Sequence, residues 1–163
     1  MMAELFQITV NEILSGVSRA IHNVYGSTLS IYKEKQEYVD LPAVCVYCIN
    51  YEQVMGRNDR FTNTYDVIIN YFPDDNDIIN NKRPEMFSQA QKIMDAVQYI
   101  NLPAYQRDND GNPVQITLPN RAQDLRVEEQ EDHMQISCKY VVRTRKHTDT
   151  IKMEQLDLDV TNK

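Results

Sequence analysis

Three cysteines, three histidines and two clusters of aspartates are the residues of this chain whose types could carry chemistry. Cys45-Val-Tyr-Cys48 has the C-x-x-C spacing of a metal clip or a redox pair. The residues around it are apolar and strand-like, and on a strand two residues three apart face opposite sides of the sheet, so they cannot share a metal. No second ligand pair accompanies them. Buried structural thiols are the expectation for Cys45, Cys48 and Cys138, with a small ligand-binding or thiol-enzyme domain as the rival. Asp74, Asp75 and Asp77, and separately Asp108, Asp110 and Asn112, each resemble half of a calcium loop. Both lack the glycine at the sixth position that such a loop needs, and Asp and Asn are ordinary turn residues. His22, His133 and His147 have no Cys or Ser partner at a recognisable spacing. No G-x-S-x-G, G-x-x-x-x-G-K, H-E-x-x-H or G-x-G-x-x-G occurs, and four glycines leave little scope for a phosphate cradle. The expectation is no catalytic residue, no cofactor and no metal.

The elements that must hold these residues are organised on Leu41 to Phe72. Leu41 to Tyr51 is apolar at nearly every position, as expected of a strand covered on both faces. Phe61, Tyr65, Val67, Ile69 and Tyr71 alternate with Thr62, Thr64, Asp66 and Asn70, the pattern of a strand with one dry face; Ile68 is the exception. Gln53 to Arg60, with Gly56, joins the two as a long antiparallel hairpin at the centre of a sheet. Before it, Val10, Ile13, Leu14, Val17, Ile21 and Val24 mark one face of a helix that Gly26 stops. Leu29 to Glu34 reads as a short strand.

After it, Pro84 opens a second helix with Met86, Ala90, Ile93, Met94 and Val97 on its apolar face, Ile100 as a further candidate, and its end before Pro103. Ala104 to Arg107 and Val114 to Leu118 flank Asp110-Gly111 as a projecting β-hairpin. Gln123 to Glu129 reads as a separate strand, and His133 to Thr144 as another, with Met134, Ile136, Cys138, Tyr140 and Val142 on one face. The predicted fold class is α+β: a mostly antiparallel sheet with two helices packed on one face, plus the projecting hairpin. Part of the other face is then left over, to be covered by something such as a neighbouring subunit.

At 163 residues the chain suits a single domain, predicted over 1–147, followed by a tail over 148–163 that reads either as a short amphipathic segment or as one ordered only on assembly. Seventeen basic against 24 acidic residues give a net charge of −7, which argues against phosphate-driven binding to nucleic acid or to an anionic membrane. No apolar run approaches the roughly 20 residues of a membrane span, and the opening Met1 to Gln7 lacks the basic and apolar regions of a signal peptide. A cytoplasm-like compartment and reduced thiols are expected. Ten tyrosines against four phenylalanines and no tryptophan suit a contact-rich surface, and equally suit strands.

Leu29 to Ile49, with its Ile-Tyr-x-Glu strand, polar joint and Pro-led apolar strand, resembles the opening of the tail terminator proteins of phages of Gram-positive bacteria and of related phage-tail-like particles. The resemblance continues through Thr64-Tyr-Asp-Val-Ile-Ile-Asn-Tyr-Phe-Pro73, the second helix, the Met134 to Val142 strand and a Met153-Glu-x-Leu156 tail, so it covers almost the whole chain. It implies a structural protein: a small α+β domain that forms a hexameric ring on the finished tail tube, stops polymerisation and presents a surface to the head, neck or collar. The implied partners are further copies of itself, the tail tube protein, a sheath where the tail contracts, and a head-completion or neck protein. The implied place is the virion or a tailocin-like particle, assembled in the host bacterial cytoplasm. A head-tail connector or another tail structural protein is the alternative.

The contact residues expected on this reading lie at three places. Met55, Arg57 and Arg60 stand at the turn of the long hairpin, where apolar and basic groups are unusual on an acidic protein. Arg107, Asp108 and Asp110 stand on the second ribbon, acidic at its tip, so that the two turns could meet between neighbouring subunits. Met153, Leu156 and Leu158 in the tail are expected to dock on an adjacent surface.

Overall fold

The computed structural model describes residues 8–34, 38–58, 60–74 and 83–145. Helix α1 (Val10–Tyr25) is followed by a 3-10 turn (Gly26–Thr28), and helix α2 spans Arg83–Val97. The strands are β1 (Ser30–Tyr32), β2 (Ala43–Met55), β3 (Arg60–Phe72), β4 (Tyr99–Arg107), β5 (Pro113–Glu129) and β6 (Met134–Arg145). They form one sheet in the order β1-β2-β3-β6-β5-β4, antiparallel at every step except β1 with β2. The protein is therefore α+β with a mostly antiparallel sheet.

α1 begins where the sequence supplies a cap. Thr9 Oγ1 accepts from the Glu12 backbone N–H at 3.3 Å, and Glu12 Oε2 accepts from the Thr9 N–H at 2.9 Å, so two of the donors left over at a helix start are satisfied reciprocally. It ends at Gly26, whose φ of 61° suits a residue without a Cβ and whose N–H returns to the His22 carbonyl. Ile13, Leu14, Val17 and Ile21 are buried in one core with Met86, Ala90, Ile93 and Val97 of α2. The sheet gives that core Val44 and Val46 of β2, Tyr65, Val67, Ile69 and Tyr71 of β3, and Met134, Ile136, Cys138, Tyr140 and Val142 of β6. These share a face because their registers align: Val44 lies opposite Tyr71, Val67 opposite Cys138, and Ile69 opposite Ile136. α1 touches both β2 and β4, which stand toward opposite edges of the strand order, so the sheet curls around it.

Two expectations are corrected. Ile100 belongs to β4, because α2 ends at Val97 and the chain turns directly into a strand at Tyr99. α2 does end before Pro103, which sits inside the edge strand β4 opposite Thr117, where a missing N–H is tolerated. The strand expected at Gln123 to Glu129 is the far half of one long β5, interrupted by a register shift between Gln123 and Arg126 at Asp124, whose φ is 54°. Three strands therefore follow α2 where four were expected.

β2 also departs from its apolar sequence. Ala43 to Val46 are buried, but Ile49 and Tyr51 are 60% and 47% exposed. The register shifts between Cys48 and Asn50, which turns Tyr51 onto the face of Tyr65, their rings 5.1 Å apart. Beyond Cys45, β2 has no strand on its outer side among the described residues, so the hairpin stands toward one margin of the sheet, with β3 in its interior.

Candidate assembly surface

The long hairpin places its turn by an exposed strand on one side and a held strand on the other. β3 is paired on both sides as far as Phe61 and with β6 as far as Arg60, which lies opposite Arg145, while every residue of β2 from Ile49 to Met55 is exposed. The turn closes with Gly56 N–H donating to the Arg60 carbonyl at 2.7 Å and Arg60 N–H to the Arg57 carbonyl at 3.3 Å, and Asn58 takes a φ of 59°. Met55 is 72% exposed, and Arg57 and Arg60 are exposed beside it.

The second turn joins β4 to β5. Their ladder runs from Tyr99 opposite Arg121 to Arg107 opposite Pro113, and Asn109 to Gln115 are exposed. Asp108 organises it: its Oδ1 accepts from the Asp110 N–H at 3.0 Å and the Asn112 N–H at 2.8 Å, and its own N–H donates to the Asn112 carbonyl at 2.9 Å. Gly111 supplies a φ of 81°. Asp110 is thus the carboxylate of this turn turned to solvent, while that of Asp108 holds the loop together. Arg107 ends β4, and its side chain lies outside the described residues, as do Met153, Leu156 and Leu158 entirely.

The two turns lie beyond the same end of the sheet. In the row formed by Tyr65, Tyr140 and Ala122, β3 continues to Arg60 and β5 continues to Pro113 in one direction. The β2–β3 hairpin stands toward one side of the strand order and β4–β5 closes the other, with β6 between them. Within one subunit they are prongs of a fork, and Asn120 Nδ2 of β5 donates to the Val141 carbonyl of the intervening β6 at 3.1 Å. Beside the β4–β5 prong runs an open groove of about 750 Å³, bounded by Asn11, Ser15 and Asn23 of α1 and by Tyr99, Gln115 and Thr117 of the ribbon. The sequence gives no sign of this groove, because it arises only when α1 comes alongside the edge strand.

The remaining candidates stay apart. Cys45 lies opposite Asn70 and Cys48 opposite Val67, on opposite faces of β2. Burial pushes the Cys138 thiol up to about 11 and also raises Cys48, so neither favours the thiolate that nucleophilic chemistry needs. His133 bonds Asp132 at 2.7 Å and its ring lies 4.8 Å from that of Phe72, while His22 is exposed on α1. Asp74 is exposed; Asp75, Asp77 and His147 lie outside the described residues. Among the described residues no group of three or more His, Cys, Asp or Glu is placed to hold a metal ion, and no helix is long and apolar enough to cross a membrane.

No curated protein matches the chain. A family model described as phage tail terminator protein matches residues 12–152, from the first turn of α1 past the end of β6. That match takes in both helices, the whole sheet and both prongs, and by it the chain belongs to the phage tail terminator family.

Proposed function

We propose that this protein ends tail assembly by closing as a ring of identical subunits on the tail tube, six-fold to match the tube, where it stops polymerisation and carries the attachment surface for the head, neck or collar. The observation that carries this reading is the family match over residues 12–152, which makes the chain a tail structural protein. The fork supports the ring. A closed ring of one chain needs two different, complementary patches on each subunit. That the arginine-bearing turn of β2–β3 and the aspartate-bearing turn of β4–β5 belong to hairpins on the two sides of β6 supports this reading. In the ring, Met55, Arg57 and Arg60 of one subunit meet Arg107, Asp108 and Asp110 of the next, with Asp110 supplying the free carboxylate. The tube protein, a sheath where the tail contracts, and a head-completion or neck protein are its other neighbours in the particle. The net charge of −7 suits a collar through which DNA must pass without adhering.

The test is electron microscopy of particles assembled without this protein. Tails of uncontrolled length, or tails without heads, support a terminator. Absence of tails would instead make it a component needed to build the tube, and images of the assembled particle with a symmetry other than six at this position would overturn the hexamer.

A further inference from the structure

A small pocket of about 230 Å³ opens on the face of the sheet turned away from the helices, at the end of β2, β3 and β6 opposite the two prongs. Asn70 of β3 and Gln135 of β6 stand side by side in it, out of phase with the core residues Ile69 and Ile136. Tyr47, Phe72 and His133 line it as well. Its size lies below the roughly 300–1,000 Å³ of small-molecule sites and suits a single side chain.

What this pocket offers is acceptors. Asn70 is 6% exposed; its Nδ2 donates to Tyr47 Oη at 3.1 Å, and its Oδ1 is buried without a hydrogen-bond partner. A buried orphaned acceptor is costly in a folded protein and calls for an explanation. The His133 ring, donating from Nδ1 to Asp132 Oδ1 at 2.7 Å, keeps Nε2 as a second acceptor. Among the described residues no lysine or arginine lines the pocket. Two carboxylates stand beside it instead: Glu128 lies opposite Gln135 and is exposed, and Asp132 holds His133. Arg126, opposite Ser137, is one row farther off.

We propose that this pocket takes an arginine side chain of another protein. A guanidinium carries five donors and no acceptor, so it can serve Asn70 Oδ1 and His133 Nε2 together, and its plane stacks on aromatic rings, which Tyr47 and Phe72 provide. The compact ammonium of a lysine has neither the fork nor the plane. The carboxylates favour a cation, and on a chain of net charge −7 they favour a basic partner over a second copy. The site lies at the far end of the strands from both prongs, so the assignment does not depend on the proposed ring.

NMR titration of the full chain tests it, with Nα-acetyl-arginine methylamide as the probe and its citrulline counterpart, which keeps the shape and loses the charge, as the control. The expected result is saturable shifts of the Asn70 side-chain amide and the His133 ring, with the arginine probe binding at least about tenfold more tightly than citrulline. Asn70→Val, which removes the orphaned acceptor, and Glu128→Gln, at an exposed position that leaves the core untouched, should each weaken arginine binding, the second about threefold. Equal binding of citrulline or of the lysine analogue, or unchanged arginine binding in either variant, would overturn the proposal. Light scattering distinguishes the source of the side chain. Self-association of the chain that the arginine probe reverses would overturn the assignment to another protein, since the arginine would then come from a second copy.

Discussion

Tyr65 and Tyr140 stand directly opposite one another on β3 and β6, and their hydroxyls fasten the two helical segments to the sheet from that one row. Tyr65 Oη donates to the Ile8 carbonyl, just before α1, at 2.6 Å, and Tyr140 Oη donates to the Val97 carbonyl, the last of α2, at 2.7 Å. Both side chains are buried. A helix leaves its last four carbonyls without intrahelical partners, so the second bond satisfies a group that would otherwise be costly to bury.

Tyr140→Phe keeps the ring and removes that donor. Leaving a buried acceptor unpaired costs about 1–3 kcal/mol, and in a chain of this size each kcal/mol lowers Tm by about 2–4 °C. Calorimetry should therefore show a clear drop. An unchanged Tm would mean that the Val97 carbonyl finds another partner at no cost.

Alkaline pH should destabilise the fold through the same region. Burial pushes the Cys138 thiol up to about 11 from an ordinary value of 9.0, and burial likewise raises Tyr65 and Tyr140. The folded chain keeps protons that the unfolded chain gives up, so this stability is complete below pH 9 and is lost as pH rises toward 11. For Cys138 alone the loss is on the order of 2 kcal/mol. Urea melts at pH 8 and pH 10.5 should differ less for Cys138→Ala than for the wild type; an equal difference would remove the thiol as a cause.

Gly16→Val should destabilise although valine is the better helix former. A Cβ at Gly16 lies 3.3 Å from the Asn101 carbonyl oxygen and 3.4 Å from Ile100 Cδ1, and Arg19 Nη2 donates to that same carbonyl at 3.3 Å. β4 is held by its ladder to β5 and cannot easily recede. The overpacking cost of about 1–3 kcal/mol exceeds the few tenths gained in helix propensity. A Tm at or above that of the wild type would show that the edge strand gives way.

Periodicity made part of this fold legible and concealed another part for physical reasons. The face of α1 and the alternation from Met134 to Val142 follow directly from 3.6 and 2.0 residue repeats, since each element buries one side. Ile100 follows Val97 by three residues and so continues a helical pattern, although it is buried from a strand. β2 reads as doubly covered, but apolar residues at a sheet margin look the same in sequence as those in its interior. The turn residues Met55, Arg57 and Arg60 could be found as exposed groups on a hairpin. The role of Asp108 could not, because composition does not distinguish an aspartate that caps its own turn from one offered to a partner.

The fork gives the proposed ring its most direct test at the arginine turn. Arg57 and Arg60 are exposed and sit beyond the buried core, so their removal should leave the isolated subunit intact. Arginine is enriched among interface anchors, and truncating a real one costs about 2 kcal/mol or more. In a closed ring that loss recurs at every contact between neighbours. Arg57→Ala/Arg60→Ala should therefore abolish assembly on the tube, scored by electron microscopy, with Tm within about 1 °C of the wild type. Asp110→Lys, which reverses the carboxylate that the β4–β5 turn leaves to solvent, should impair assembly in the same way, and Asp110→Asn more weakly. A lowered Tm in the double variant would point to a structural role within the subunit. Wild-type assembly by both the arginine and the aspartate variants would remove the two prongs from the interface and leave the groove beside α1 as the next surface to probe.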